Sequence, residues 1–348
     1  MSDLVVLFNR LTPRLEGVLA HALSGRVHRL LSLNRLAETD IRGSKVVFAL
    51  CVGEYGLDSD IVKLLLHLRK HPDCMDNCVA VMLIDGTVEL YTKHLAQMFT
   101  LAANSAGCFF PGKPLVEATG SLANLTIMSK RLNMSLEDTY LYKARELVDR
   151  LLDFSAPSYE NPKMLLLHAS EKRTSNTLDI SSEICARIGQ KYTIKEISLR
   201  NGQVHDCRGC SYKTCSHFGT TNECFYGGSI VEEVFPALIE ANVLMLLCPN
   251  YNDSVSANIM AFINRLTSLL IKNTFFDTLL YSVVVSGYSG SDIVAQQVAG
   301  AMCLNKTFML PPRFVLMQTA NDPGTAMRAQ GITERIDNMA NRMLSFAK

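Results

Sequence analysis

Three segments of the sequence group hydroxyl, amide and aromatic side chains of the kind that bind a phosphate or a planar ring. Residues 169–177 read A-S-E-K-R-T-S-N-T, residues 248–257 read C-P-N-Y-N-D-S-V-S-A, and residues 286–292 read S-G-Y-S-G-S-D. Hydroxyls and amides at a helix N-terminus favour an anion such as phosphate, whereas tyrosine and asparagine suit the face and the edge of a planar ring. Each segment alone could be a helix cap or a turn. Their combination predicts a ligand site.

A second group of reactive side chains is a run of cysteines with the spacing C-x2-C-x4-C-x8-C. It consists of Cys207, Cys210, Cys215 and Cys224. Four thiolates at such short spacing can enclose a 4Fe-4S cluster or one tetrahedral zinc ion. The alternative is a set of free thiols, structural or redox-reactive. The sequence leaves these three possibilities open.

Alternating apolar runs and helical patterns must position these groups. In the first half, strands are predicted at residues 4–8, 27–33, 45–50, 78–84 and 107–110, with helices around 15–23, 61–68, 95–101 and 136–152 and a long polar loop before the last of them. In the second half, strands are predicted at 164–168, 192–199, 242–247, 279–285 and 307–310, with helices at 178–188, 230–239, 256–271, 292–302 and 333–346. Strands that alternate with helices in this way indicate βαβ units and a parallel sheet.

The segment 155–162, S-A-P-S-Y-E-N-P, separates the two halves. Its prolines and small polar residues interrupt helical continuation, and we expect one domain over residues 1–156 and a second over 163–348. The same element order in both halves suggests an internal duplication. In open parallel sheets, ligands bind outside the carboxyl ends of the strands, which is where the three polar segments are predicted to lie.

Composition limits the possible partners. The chain has 348 residues, of which 48% are hydrophobic and 19% charged, and its net charge is +1. This balance argues against a dedicated nucleic-acid binder. The chain has no apolar run long enough for a membrane span, and its first residues lack the pattern of a signal peptide. Its eleven cysteines are an odd number, so we expect reduced thiols and no disulfide framework. Together these features predict a cytoplasmic protein with no membrane partner.

The polar segments of the second half resemble those of a known family. Ala169-Ser170 with Ser175-Asn176-Thr177, then Pro249-Asn250-Tyr251 with Ser254-Val255-Ser256-Ala257 and Phe262-Ile-Asn-Arg265, are similar to the motifs of the flavodoxin-like NAD(P)H-dependent FMN reductase and iron-sulfur flavoprotein group. The resemblance covers about residues 163–320. It departs from the group at Glu171, where a proline is usual, and at Asn264, where an acid is usual.

This resemblance implies the fold, the cofactor and its contacts. The fold would be α/β, with two tandem flavodoxin-like domains, each a parallel five-stranded sheet with helices on both faces. The FMN phosphate would be held by Ser170, Lys172, Ser175, Asn176 and Thr177. The ring would be bordered by Pro249, Asn250, Tyr251 and Asn252, with Ser254 in the same loop and Gly287, Tyr288 and Gly290 on the far side. Arg265 and Tyr251 are candidates for contact with flavin or nicotinamide.

Iron-sulfur flavoproteins carry a compact four-cysteine motif in the same loop as this chain. Their third cysteine follows the second after two residues, where this chain has Lys213. The resemblance therefore adds a 4Fe-4S cluster bound by Cys207, Cys210, Cys215 and Cys224 as a possible second cofactor. It does not exclude the free thiols.

The first half is similar to a flavodoxin-like domain through V-G-E-Y-G at residues 52–56. Its first loop, N-R-L-T-P-R at residues 9–14, lacks the hydroxyl cluster, and Pro13 removes an amide donor. We expect a degenerate copy without FMN.

The expected function is an FMN-dependent oxidoreductase that passes electrons from NAD(P)H through the flavin to a small-molecule or protein acceptor. Because the flavin carries the chemistry, no catalytic side chain is nominated. One alternative is an electron carrier of the iron-sulfur flavoprotein type, and another is a non-catalytic flavin-binding or regulatory module. We expect a homodimer from the frequency of two-fold dimers and from the resemblance.

Overall fold

The computed structural model describes residues 3–200 and 202–348 and divides the chain into two compact units. The first unit runs to Ser155 and includes residues 303–305 and 310–313, and the second comprises residues 156–302, 306–309 and 314–348. Met1 and Ser2, with which the predicted first domain begins, lie outside the described residues. The domain bounds 1–156 and 163–348 stay a prediction.

The first unit is a parallel five-stranded sheet with helices on both faces. Its strands are β1 (Leu4–Phe8), β2 (Arg29–Ser32), β3 (Lys45–Val52), β4 (Val79–Gly86) and β5 (Leu115–Ala118), in the order β2-β1-β3-β4-β5. Its helices are α1 (Pro13–Leu23), α2 (Ser59–Lys70), α3 (Thr92–Ser105), α4 (Thr126–Leu132) and α5 (Leu136–Asp153). Helix α1 packs with α5, and α2 packs with α3.

Local sequence explains where these helices begin. Thr12, Asp58 and Ser135 cap α1, α2 and α5, and each side chain accepts a hydrogen bond from a backbone N–H of the first turn. Apolar side chains of α1 and α5 then pack with alternate residues of the central strands in one core cluster that includes Val6, Val47 and Val81. The fully buried strands read as continuous apolar runs, as expected for a parallel sheet covered on both faces.

The second unit repeats this architecture. Its strands are β6 (Lys163–His168), β7 (Thr193–Ser198), β8 (Val243–Pro249), β9 (Leu279–Ser286) and β10 (Val315–Thr319), in the order β10-β9-β8-β6-β7. Its helices are α6 (Asn176–Ile188), α7 (Tyr212–Gly219), α8 (Phe235–Ile239), α9 (Ala257–Leu269), α10 (Ser291–Ala299) and α11 (Ile332–Leu344). The predicted fold class is confirmed, and the strand order of each sheet is the flavodoxin-like 2-1-3-4-5 order.

The predicted fifth strand was wrong in both halves. The runs at 107–110 and 307–310 form only isolated bridges. Two are parallel, between Phe109 and Val79 and between Met309 and Leu279, and one is antiparallel, between Phe110 and Leu310. Pro111 and Pro311 follow these runs, and proline has no N–H to continue a ladder. The fifth strands instead lie a few residues further on, as β5 and β10.

Two predicted loops contain helices, and several bounds shift. The polar loop before α5 includes α4, and the cysteine-rich loop includes α7, which Ser211 caps by accepting from Thr214 N–H. The predicted strand at 27–33 shortens to β2 and continues as a 3-10 helix over Leu33–Glu38. The predicted helix at 230–239 begins as a π-helical turn, Ile230–Val234, before α8. Within the described residues, no helix is both long and apolar enough to span a bilayer.

Candidate functional site

The three polar segments of the second unit meet at one cavity outside the carboxyl ends of β6, β8 and β9. The cavity has a volume of about 360 Å³, within the usual order of small-ligand pockets. Its walls come from the loops after these strands and from the loop after β10. The lining residues are Ser170, Glu171, Thr174, Ser175, Asn176, Thr177, Pro249, Asn250, Tyr251, Val285, Gly287, Tyr288, Ala320 and Asn321.

One end of the cavity is formed by hydroxyls at the start of α6. Ser175 caps this helix, and its Oγ accepts from Leu178 N–H at 3.3 Å. Thr177 Oγ1 lies 2.7 Å from Ser175 Oγ and 3.3 Å from Ser170 Oγ, so the three hydroxyls form a continuous chain. The first turn of a helix also leaves backbone N–H groups without intrahelical partners. These groups can donate to an anion.

Asn176 lines the cavity, but its side-chain amide holds the loop after β10. Its Nδ2 donates to the carbonyl of Asp322 at 3.0 Å, and its Oδ1 accepts from Ala326 N–H at 3.1 Å. Asn176 therefore fixes the loop that contributes Ala320 and Asn321 to the cavity. These two residues were not predicted, because nothing in the sequence shows that the loop after the fifth strand returns to α6.

Charged side chains near the hydroxyl end are paired with one another. Glu171, which lines the cavity, forms an ion pair with Arg200. Lys172, predicted to hold the phosphate, does not line the cavity; its side chain is 75% exposed and its Nζ lies 3.4 Å from Glu196 Oε1. No lysine or arginine of residues 3–200 or 202–348 lines this cavity. An anion here would be bound by hydroxyls and backbone N–H groups.

The loop after β8 is a tight turn that presents a tyrosine. Tyr251 and Ser254 exchange backbone hydrogen bonds of 3.1 and 3.2 Å, and Asn252 and Asp253 between them both have positive φ, 52° and 56°. Asparagine and aspartate tolerate this left-handed region better than other non-glycine residues. Tyr251 remains 55% exposed at the cavity edge. Asn252 thus contributes its left-handed backbone conformation to the turn, and it does not line the cavity.

Asn250 connects this turn to the loop after β9. Its Nδ2 donates to the carbonyl of Ser289 at 2.9 Å and to Ser286 Oγ at 3.1 Å. Its Oδ1 is buried and has no hydrogen-bond partner, although a buried polar atom normally has one. An N–H group on the edge of a bound ring would satisfy it.

Gly290 is required for the same two loops to approach each other. Its φ is 85°, and a Cβ atom would lie 2.0 Å from Asp253 Oδ1. Neither Gly290 nor Ser254 lines the cavity. The Ser254 Oγ donates to Gln297 Oε1 at 3.4 Å. Both predicted residues hold the loops in place, whereas Gly287 and the 84%-exposed Tyr288 lie at the cavity itself.

The cysteine group lines a second cavity of about 220 Å³ in the same unit. Cys207, Cys210, Cys215 and Cys224 all contribute, together with aromatic side chains and Arg265. Burial and the neighbouring thiols raise the pKa of Cys215. All eleven cysteines are free thiols. Across the described part of the chain, no three His, Cys, Asp or Glu side chains are close enough together to hold a metal ion. The donor set suits a metal centre, but its present spacing does not.

Arg265 is the unusual member of this second cavity. It is 2% exposed, and its Nη1 donates to the carbonyl of His205 at 3.3 Å. Its Nε and Nη2 have no hydrogen-bond partner, and no carboxylate of the described residues lines the cavity. A buried cation without an anion is costly. Arg265 and Tyr251, the two candidates for contact with flavin or nicotinamide, line different cavities.

In the first unit, polar side chains at the equivalent edge of the sheet bond to one another and to the backbone. The Arg14 guanidinium forms two hydrogen bonds with the Asp85 carboxylate, of 2.9 and 3.0 Å, and donates to the carbonyls of Gly86 and Gly120. Asp85 lies near the end of β4 and is 2% exposed. Asn9 exchanges hydrogen bonds with the backbone of Cys51. Polar side chains after β1 therefore form their hydrogen bonds with other protein groups.

Both units have the doubly wound α/β fold of flavodoxin-like proteins, and the second has its polar loops at the edge where such folds bind ligands. Residues 162–322 match the family of NADPH-dependent FMN reductases. This stretch contains all the lining residues of both cavities in the second unit. The second unit accordingly carries the sequence signature of that family.

Solved structures of flavin-related proteins are similar to part of the chain. RosB with a bound 8-demethyl-8-formylriboflavin-5'-phosphate intermediate is 12% identical, covering 53% of this chain and 80% of RosB with a TM-score of 0.42. NAD(P)H:quinone oxidoreductase from Methanothermobacter marburgensis is 14% identical, covering 53% and 96% with a TM-score of 0.40. An azoreductase from Bacillus anthracis is 12% identical, covering 52% and 97% with a TM-score of 0.38. No curated protein matches the sequence.

Proposed function

We propose that the second unit binds one FMN in the loop cavity, and that the protein passes electrons from NADPH to an acceptor. The observation that carries this proposal is the meeting of the three predicted loops at one cavity, outside the carboxyl ends of β6, β8 and β9. The match to NADPH-dependent FMN reductases supports the choice of flavin and of NADPH over NADH.

The hydroxyl end of the cavity suits the FMN phosphate. Ser170, Ser175 and Thr177 would hold it, together with backbone N–H groups at the start of α6. The absence of a cation from the lining fits this arrangement, because hydroxyls, N–H groups and the helix dipole already favour negative charge. Lys172 would contribute only through long-range attraction, since it is paired with Glu196.

The aromatic end suits the isoalloxazine ring. Tyr251 and Tyr288 offer flat, exposed faces at the cavity edge. Asn250 Oδ1 would accept from a ring N–H, and Gly287 allows the ring to approach the backbone. When bound, FMN supplies hydride acceptance from a reduced nicotinamide and transfer of one or two electrons to an acceptor. The side chains of this site bind and orient the ring, and none is assigned to proton transfer.

The test is an anaerobic absorption experiment on the full chain. Purified protein is incubated with FMN, freed of excess cofactor and titrated with NADPH, and in parallel with NADH. We expect visible flavin absorbance that stays with the protein and bleaches with NADPH. A quinone, an azo dye and ferricyanide are then added to identify the class of acceptor. Protein that remains colourless after incubation with FMN would contradict the proposal.

The first unit is proposed to bind no FMN. Its crevice holds the Arg14–Asp85 ion pair, and its first loop has no chain of hydroxyls. If Arg14 moved away to admit a flavin, Asp85 would be left buried without its ion-pair partner. We therefore propose a supporting role in packing for this unit.

A specific observation favours a second candidate, an electron carrier with an iron-sulfur cluster besides FMN. Four cysteines line the cavity that contains the Arg265 guanidinium, whose Nε and Nη2 have no hydrogen-bond partner. A 4Fe-4S cluster ligated by four thiolates is anionic, and would supply a negative charge next to the Arg265 cation. Binding would require the thiols to move closer together than in the present structure.

Iron and sulfide analysis of anaerobically purified protein tests this candidate. About four irons and four sulfides per chain, lost in the Cys210→Ser variant but kept in Cys185→Ser, would support it. Cys185 is the matched control because it is a free thiol on α6, outside the group. Protein that contains flavin but neither iron nor sulfide would contradict the electron carrier with an iron-sulfur cluster. It would still be compatible with the FMN reductase.

We propose a cytoplasmic location and a homodimer as further attributes. All eleven cysteines are free, which suits a reducing compartment. The dimer is proposed from the frequency of two-fold assemblies. Light scattering during gel filtration measures the mass, and a mass near 38.5 kDa would contradict the dimer.

A further inference from the structure

A buried histidine, His168, lies directly behind the hydroxyl end of the loop cavity. It is the last residue of β6 and is 0% exposed. It does not line the cavity. Its ring nevertheless contacts the loop that does, because its Nδ1 lies 3.2 Å from the backbone nitrogen of Ser170.

The hydrogen bonds of His168 define its protonation state. A backbone nitrogen can only donate, so Nδ1 must be unprotonated to accept from Ser170 N–H. The proton of the neutral ring is then on Nε2, which lies 3.3 Å from Glu196 Oε1 and can donate to that carboxylate. A ring protonated at both nitrogens could keep the contact with Glu196 but would lose the one with Ser170.

We propose that His168 is a positioning residue for the phosphate loop: its unprotonated Nδ1 fixes the backbone at Ala169-Ser170, and protonation of the ring releases this backbone and weakens FMN binding. This inference rests on the proposed FMN site. Ser170 is 4% exposed, lines the cavity and belongs to the hydroxyl chain through Thr177. Loss of the Nδ1 contact would free the backbone from which that hydroxyl extends.

Burial and the neighbouring charged groups set the pH at which this release occurs. Burial lowers the pKa of His168 below its ordinary value of 6.5, while Glu196 raises it and Lys172 lowers it. The site therefore holds the neutral ring at neutral pH. As pH falls through this lowered pKa, the fraction of protein with a neutral ring falls, and the apparent FMN affinity falls with it by up to about tenfold per pH unit.

Two isosteric variants separate the two ring nitrogens. His168→Asn places an acceptor near the Nδ1 position and cannot reach Glu196, whereas His168→Gln reaches toward Glu196 and leaves Ser170 N–H without its acceptor. FMN dissociation constants are measured at pH 8 by quenching of flavin fluorescence. We expect His168→Gln to bind FMN about tenfold more weakly than the wild type. We expect His168→Asn to restore most of that affinity.

The pH profile provides a readout that a packing role would not change. The FMN phosphate itself titrates near pH 6, so any pH dependence shared by wild type and His168→Asn belongs to the ligand. We expect an additional loss of affinity at low pH only in the wild type. Glu196→Gln removes a charge that raises the His168 pKa, and should move this additional loss to lower pH.

The outcomes separate this inference from the proposed function. If the wild type does not bind FMN at pH 8, the proposed function fails, and nitrogen NMR of the histidine ring in the free protein still tests whether Nδ1 is unprotonated. If the wild type binds and His168→Asn is as weak as His168→Gln, with thermal stability unchanged in both, the positioning role is wrong. Equal pH profiles for wild type and His168→Asn would also overturn it.

Discussion

Ser175 is the residue at which helix capping and the proposed phosphate contact can be separated. Its Oγ accepts from Leu178 N–H at 3.3 Å and lies 2.7 Å from Thr177 Oγ1 in the hydroxyl chain. Ser135 at the start of α5 provides a matched control, since its Oγ accepts from Asp138 N–H at 3.0 Å and bonds Asp138 Oδ2 at 2.8 Å. Both serines cap a helix, but only Ser175 lines the cavity.

The two serine-to-alanine variants should share one effect and differ in another. Each loses a cap, which costs about 1 kcal/mol in the free energy of unfolding. Ser175→Ala also loses a hydrogen bond to a charged phosphate, worth about 1.5 to 3 kcal/mol. This converts to an FMN dissociation constant roughly 10- to 150-fold weaker than the wild type. Ser135→Ala should bind FMN as the wild type does.

Fluorescence-quenching titrations give the two dissociation constants, and urea denaturation of the FMN-free proteins gives the unfolding free energies. Wild-type FMN affinity in Ser175→Ala, with a lower unfolding free energy, would contradict a phosphate contact at Ser175. This contact would equally be refuted if Ser135→Ala lost as much affinity as Ser175→Ala, because the effect would then come from general destabilisation.

Three further predictions follow from single contacts. Arg14→Met leaves the Asp85 carboxylate buried without its partner and should lower the unfolding free energy by about 3 kcal/mol in urea denaturation; unchanged stability would contradict this. Tyr251→Leu should weaken FMN binding about threefold to tenfold through loss of an aromatic face, while Tyr55→Leu, in the corresponding loop of the first unit, should have no effect on the same titration. Burial raises the pKa of Cys248 to about 12, so mass spectrometry after thiol labelling at pH 8 should find exposed Cys207 modified and Cys248 unmodified until the protein unfolds; equal labelling rates would count against the structure.

The strands and helices that the sequence predicts well are the strongly periodic ones. The central strands β3, β4, β8 and β9 are buried along their length and read as apolar runs between turn residues. The edge strand β5 alternates between half-buried and buried residues. Its short pattern was therefore less conspicuous than the apolar run before Pro111, and the same error occurred at β10.

The loops of the site could be predicted, but their side-chain partners could not. Lys172 sits in the right loop, yet it pairs with Glu196 on the neighbouring strand β7. Asn176 lines the cavity as predicted for a phosphate-loop residue, and its side-chain amide binds the loop after β10. Both contacts join residues distant in sequence, and local spacing carries no information about them.

The cysteine group illustrates the same limit. Its spacing leaves a metal centre and free thiols both open, and the structure brings all four cysteines to one cavity. The spacing does not reveal that Cys215 lies on α7, or that the buried Arg265 joins the thiols from α9. The positions of Cys215 and Arg265 depend on the packing of α7 with α9.

The ratio of bound FMN to protein chain tests the central claim most directly. Equilibrium dialysis of the full chain against FMN at pH 8 measures this ratio at saturation. The second unit has an open hydroxyl-lined cavity, whereas the equivalent sheet edge of the first unit carries the Arg14–Asp85 ion pair. We therefore predict one FMN per chain. A ratio of zero would contradict the assignment of the cavity, and a ratio of two would contradict the assignment of the first unit as a degenerate copy.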